Sequence, residues 1–170
     1  LFRATWFKET GRWFESHGHP EHVRGGSRVW IAANEEFLHR FRIRRGYLNA
    51  LRAAQKEVLI ANAYFVPDFR TRHALAAAVR RGVSVRLLVP GHSDILSVWL
   101  AGRSYFEGLL RRGVRIHQWQ GPMLHEKTAV IDGTWCTVGS YNLDHISLLR
   151  NLEVNLHILD KGFAARMKER

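Results

Sequence analysis

Between Glu57 and Trp119 the chain repeats one unit: a short, β-branched apolar run, a turn, then a helical stretch closed by glycine. Residues 57–64 read as a buried strand bounded by Pro67, residues 71–81 as an alanine-rich helix stopped by Gly82, and residues 83–89 as a second strand ended by Pro90 and Gly91. Ser93 can cap a helix over 94–112 that stops at Gly113, and residues 114–119 form a third strand. Strand, helix, strand, helix, strand with short joints leaves few topologies. Successive strands lie parallel, with right-handed crossovers between them. The expectation is an α-β-α sandwich: a mixed, mostly parallel sheet flanked by helices.

The flanks add to this frame. Residues 28–33 (RVWIAA) suit a strand, and 37–55 a helix with Phe41, Leu48, Leu51 and Ala54 roughly on one side. Past Gly121 and Pro122 the style changes. Residues 127–131 and 135–138 flank Asp132-Gly133-Thr134 as a tight hairpin, 153–159 make a last strand, and the tail from Lys161 is a short basic helix or a frayed end. Residues 1–17 carry aromatics at near-helical spacing, broken by Gly18, His19 and Pro20.

Composition narrows the classes. A length of 170 residues suits one ordinary domain, and the net charge of +11 implies an anionic partner: nucleic acid, an anionic lipid surface or a phosphorylated substrate. No apolar run approaches the ~18 residues of a membrane span, and no signal peptide is visible. The single cysteine, Cys136, excludes an internal disulfide and a cysteine-based zinc cluster; on an apolar strand it is expected to be buried and inert. The ten histidines form no HxxxH or HExxH pair, and His17 and His19 sit in a polar loop.

The chemistry is concentrated in HEKTAVIDGTWCTVGSYN, residues 125–142. Residues two apart on a strand share a face, so His125 and Lys127 project together. The hairpin returns the chain, bringing Gly139, Ser140 and Asn142 beside the start of that strand. Gly139 allows close backbone approach, Ser140 and Asn142 offer hydrogen-bond donors, and Lys127 supplies a compact positive charge for a phosphate. His125 suits proton transfer or nucleophilic attack near neutral pH. Glu153, at the start of the last strand, is the candidate orienter of that histidine, with Asn151 reaching the same pocket from the loop. Asp132 is expected to be structural, fixing the hairpin through bonds to backbone. An isolated HxK means little. Six fixed identities at fixed spacing arise by chance at roughly one in 10⁷ to 10⁸ per position.

His125, Lys127, Asp132, Gly139, Ser140 and Asn142 match the HxK(x)4D(x)6GSxN signature, and the segment resembles that of the phospholipase D superfamily. The continuation supplies Asp144, Ser147, Asn151 and Glu153. The stretches ANAYFVPD, RGVSVRLLVPGHSD and LLRRGVRIHQW look most like the C-terminal half of bacterial cardiolipin synthases. The resemblance implies one of two pseudo-symmetric halves: residues 1–36 would end the preceding half and cross over, and 37–170 would form the catalytic half. It implies phosphatidyl transfer between phospholipids through a phosphohistidine, without metal or cofactor, by a peripheral protein of the bacterial cytoplasmic membrane. Two-motif relatives assign the second histidine as general acid/base, which is the place His125 would take.

The chain carries one HxK where that chemistry needs two histidines. A missing N-terminal half is favoured, since residues 1–14 resemble the helix that closes the first half in two-motif relatives. A second copy of the chain, as in a homodimeric phosphodiesterase or nuclease acting on nucleic acid, is the alternative, and an inactive half is the third reading. Tyr64, near the pocket mouth in the family, is either a substrate contact or half of a core pair with Phe65. Asp68 suits a cap. His92 and Asp94 suit either a substrate loop or a helix-cap cluster. Trp99, Leu100 and Tyr105 suit helix packing more than an acyl entrance. Arg40 to Arg45 and Arg111-Arg112 suit either anionic lipid or a solvated face.

Overall fold

A computed structural model describes residues 7–12, 26–34 and 41–169. Seven strands carry the fold: β1 (Arg28–Asn34), β2 (Glu57–Asn62), β3 (Ser84–Pro90), β4 (Arg115–Trp119), β5 (Lys127–Ile131), β6 (Trp135–Gly139) and β7 (Glu153–Leu159). The helices are α1 (Arg42–Ala53), α2 (Phe69–Arg80), α3 (Leu96–Arg103), α4 (Phe106–Leu110), α5 (His145–Leu149) and α6 (Lys161–Lys168). All seven strands join one sheet in the order β1-β7-β6-β5-β2-β3-β4. Most of the aromatic stretch 1–17, with His17, His19 and Arg40, lies outside the described residues; residues 7–10 are helical.

The α-β-α sandwich is present, but the balance within its mixed sheet is the reverse of the expected one. Only β2–β3 and β3–β4 are parallel; the other four pairings are antiparallel. The cause is where the hairpin goes. It inserts beside β2 rather than beyond β4, and β7 and β1 continue from its outer strand. Residues 28–34, assigned from sequence to the crossing segment, form the edge strand of this same sheet.

Local chemistry accounts for the helix ends. Asp68 caps α2, its carboxylate accepting from the Thr71 N–H at 2.7 Å and from Arg44 at 2.8 Å. Gly82 and Gly113 stop their helices with φ of +87° and +84°. The single helix expected over 94–112 is two. Ile95, not Ser93, is the N-cap of α3. Ser104 donates back to the Ala101 carbonyl at 2.7 Å, a local bond of the kind that competes with helix continuation.

The larger core lies between one sheet face and α1, α2, α4 and α5, with Ile43, Tyr47, Leu51, Leu75 and Leu109 packed over Val58, Val85, Leu87 and Ile131. On the other face α6 packs over a smaller cluster of Val130, Cys136 and Ile158. Cys136 is buried, as expected, and burial raises its thiol to about 11. No helix among the described residues is long and apolar enough to cross a membrane.

Candidate active site

Strand register assembles the site at one end of the sheet. Asn62 at the end of β2 pairs with Lys127 at the start of β5, Gly139 at the end of β6 with Asn155, and Asn34 at the end of β1 with Glu153 at the start of β7. His125, Ser140 and Asn142 flank these termini in the chain. The β5 residues of His125 parity, Ala129 and Ile131, lie in the larger core, so His125 and Lys127 belong to its face.

On that face a polar row interrupts the apolar core. Asn34, Asn62, Lys127, Thr137, Glu153, Asn155 and His157 are all buried. Several have a positioning role. Asn155 accepts from the Tyr141 N–H at 3.1 Å and donates to Thr137 at 3.0 Å. Asn62 accepts from the Leu143 N–H at 3.1 Å, and the Leu143 carbonyl accepts from Val66 at 2.9 Å. The loop after β6 is thus tied to β7 on one side and β2 on the other. Asn142 sits between these ties, buried, and its Oδ1 has no hydrogen-bond partner.

Lys127 is buried and donates to the His125 carbonyl at 2.7 Å. Burial pulls its ammonium below the usual lysine range, opposed by the charges of Glu153 and Asp144. The His125 residue is exposed, and its imidazole has no hydrogen-bond partner among the described residues. No hydrogen bond joins it to Glu153, whose carboxylate accepts from the Asn151 amide at 3.1 Å. The reason lies in the register. Continued by two residues, the β5–β6 and β6–β7 pairings put Tyr141 opposite both His125 and Glu153. Their backbones are then two strand spacings apart, about 10 Å.

Three further residues take places other than those expected. Gly139 allows close approach, but of β7: an added Cβ would lie 2.6 Å from Asn155 Cα and closer still to the Val154 carbonyl oxygen. The Ser140 hydroxyl is engaged by the same strand, accepting from the Val154 N–H at 3.0 Å. Asp132 does bond backbone, but not that of its own hairpin. Its carboxylate accepts from the N–H groups of Gln55, Lys56 and Glu57 at 2.9, 2.8 and 3.0 Å. Burial pushes that carboxyl up, and these donors outweigh it, holding it below the usual range.

Around the pocket, Tyr64 donates to Asp94 at 2.8 Å, tying the end of β2 to the loop after β3. Trp99 packs beside Phe65 and beneath Arg103, 4.6 Å from its ring, which is helix packing. Of the basic candidates, Arg44 is committed to Asp68 and Arg111 to Glu107. Asp144 had no role from sequence beyond its place in the motif continuation. It caps α5 through the Ser147 N–H at 2.7 Å, and burial raises its carboxyl while it lies within electrostatic reach of Lys127, Glu153 and Tyr64. Asn62 and Asn155 were likewise missed. The available signal was a polar residue at inward positions of otherwise apolar strands. Among the described residues, no group of three or more His, Cys, Asp and Glu side chains is placed to hold a metal ion.

A mixed sheet with an HxK strand at its centre and a GSxN turn beside it, sandwiched between helices, is a phospholipase D-like domain. The chain belongs to the phospholipase D/cardiolipin synthase superfamily: the family described as "Cardiolipin synthase, PLD-like domain" matches residues 47–170. Its relatives include cardiolipin synthase B of Salmonella typhi, 41% identical over 160 residues, covering 93% of this chain and 39% of that protein. Cardiolipin synthase A of Yersinia pseudotuberculosis is 33% identical over 174 residues, covering 99% of this chain and 36% of that protein. The chain therefore spans less than two fifths of the length of these relatives. Among solved structures, the phospholipase D family member Nuc from Salmonella typhimurium superposes with a TM-score of 0.71 at 20% identity, covering 85% of this chain and 91% of that one. Phosphatidylserine synthase from Haemophilus influenzae gives 0.64 at 14%, covering 97% and 42%. These two likenesses concern the fold.

Proposed function

We propose that this chain supplies one half of a phosphatidyltransferase active site and acts in phosphatidyl transfer between phospholipids, as a cardiolipin synthase does. The observation that carries the reading is the convergence, at one sheet end, of an exposed histidine residue with a buried ammonium and the buried side chain of Asn142, whose amide N–H groups can donate. That is what a phosphodiester needs from one side: a group to move a proton or attack phosphorus, and fixed charge for the non-bridging oxygens.

In this reading His125 is the general acid/base, protonating the leaving alcohol and then taking the proton of the acceptor. Lys127 and Asn142 hold the phosphate, with Ser140 and Tyr64 at the rim. Glu153 orients from a distance, through the loop it braces with Asn151 or by a shift of the His125 side chain on binding. One histidine cannot be nucleophile and leaving-group acid in the same step, so a second histidine is required. It comes from another segment of a longer protein or from a second copy of the chain. The protein works at the surface of the bacterial cytoplasmic membrane, with phosphatidylglycerol as the acceptor under the cardiolipin synthase reading.

The test is a lipid-product assay with the full-length protein and phosphatidylglycerol. Cardiolipin should form, and His125→Ala should abolish it while circular dichroism stays unchanged. Cleavage of single-stranded DNA without lipid transfer would replace this reading with a homodimeric nuclease, and transfer that persists in His125→Ala would sink both.

A further inference from the structure

A groove of about 330 Å³ lies between α2 and α4 and shares no residue with the polar row. Arg72, Arg80 and Arg112 line it, with His73, Phe69 and Tyr105, and no carboxylate is among its lining residues. Four basic side chains outside the groove have acidic partners: Arg44 with Asp68, Arg86 and Lys168 with Glu57, Arg111 with Glu107. The three groove arginines pair with no carboxylate among the described residues. Arg72 lies over the Tyr105 ring at 4.1 Å, and Arg112, in the turn after α4, donates to the Gly108 carbonyl at 2.6 Å. Three guanidinium groups facing one concavity without a counter-charge repel one another unless an anion joins them. Guanidinium is the group best shaped to grip phosphate oxygens two at a time.

The rim identifies which phosphate. Phe69 is 71% exposed, more than any other large apolar side chain among the described residues, and its ring lies 6.0 Å from that of His73. A bare aromatic beside a cationic cradle fits a surface where a phosphate layer lies over hydrocarbon. A nucleic acid would satisfy the arginines equally well but would leave Phe69 without an apolar layer to enter.

We propose that the α2–α4 groove is a docking site for the headgroup phosphate of an anionic phospholipid, separate from the reacting phosphate, that holds the protein on the membrane. The choice of a lipid as the owner of that phosphate rests on the function proposed above.

The experiment is flotation of the full chain with vesicles of phosphatidylcholine, with and without phosphatidylglycerol. The comparison is between Arg72→Gln/Arg80→Gln/Arg112→Gln and a charge-matched control, Arg28→Gln/Arg52→Gln/Arg115→Gln. At about fivefold per basic residue held near the surface, the groove variant should lose roughly 100-fold in partitioning onto phosphatidylglycerol vesicles. The control should stay close to the parent. Phe69→Ser alone should weaken vesicle binding and leave single-stranded DNA binding unchanged; it also serves if the triple variant misfolds. Equal losses in the two triple variants would overturn the site. So would a groove variant that keeps its vesicle binding and loses only binding to DNA. Flotation is read without turnover, so failure here leaves the His125 reading intact, and failure of lipid transfer leaves the flotation result intact.

Discussion

His157 offers the sharpest physical test of this fold. It is 1% exposed, and neither ring nitrogen has a hydrogen-bond partner. Trp135 stacks on it at 5.2 Å, Trp30 lies at 5.6 Å, and α1 passes so close that a Cβ on Gly46 would come within 2.6 Å of Nε2. Burial pulls its pKa from 6.5 to about 4. Well above pH 6.5 the imidazole is neutral in both folded and unfolded chains and contributes nothing to pH dependence. Below it the unfolded chain binds a proton that the folded chain refuses until about pH 4, so stability falls across that window and then levels out. The gap amounts to about 3 kcal/mol in all, with roughly 2 kcal/mol lost between pH 7 and 5. The perturbation is His157→Leu, and the assay is urea unfolding of parent and variant, followed by tryptophan fluorescence across that range. Other titrating groups are common to both proteins, so the difference between their curves isolates His157. The difference should shift by about 2 kcal/mol in favour of the variant on going from pH 7 to 5. Parallel curves would mean that the folded imidazole takes up its proton as easily as the unfolded one, and the dry-pocket reasoning would be wrong.

Two further outcomes follow from the frame around the site. Asp132→Ala removes the acceptor of three backbone N–H groups, and Asp132 has a φ of 54°, a region that alanine enters reluctantly. It should cost about 2 kcal/mol in a denaturant titration, with Asp132→Asn recovering much of that; full stability of the alanine variant would contradict the anchoring role. Gly139→Ala forces a methyl group against β7 and should cost about 3 kcal/mol or prevent folding, where a stable, unshifted protein would show that β6 and β7 can part without penalty.

The elements legible from sequence were those whose signals are local. Asp68 caps α2, Gly82 and Gly113 end helices, and the Asp132-Gly133 turn, with positive φ at both residues, closes the hairpin. Pairing order was not legible. Nothing in residues 127–138 says that β5 lies beside β2, because that choice is made by side-chain packing across the sheet, not by either strand alone. The same limit applies to the site. Its members were readable as a spacing, and their gathering at one sheet end follows from it. Partners were not: Glu153 meets Asn151 and not His125, Ser140 meets the backbone of β7, and the amides that tie the loop, Asn62 and Asn155, carry no motif of their own. Their mark is weaker, a polar residue where alternation calls for an apolar one, and it is visible only once the buried face is known.

The reach of Asp132 changes what the spacing between Lys127 and Asp132 means. The two residues stand at opposite ends of β5, one at the end where the pocket gathers and the other fastened to the start of β2. Four residues between them are one strand's worth of chain, so the interval is a gauge of strand length cut to fit the height of the sheet. A single added residue there would turn His125 and Lys127 toward α6 while the peg at Asp132 stayed in its socket. Half of the motif is then a mounting: it sets how far His125 and Lys127 stand along the sheet, and it does so from the far side of the domain.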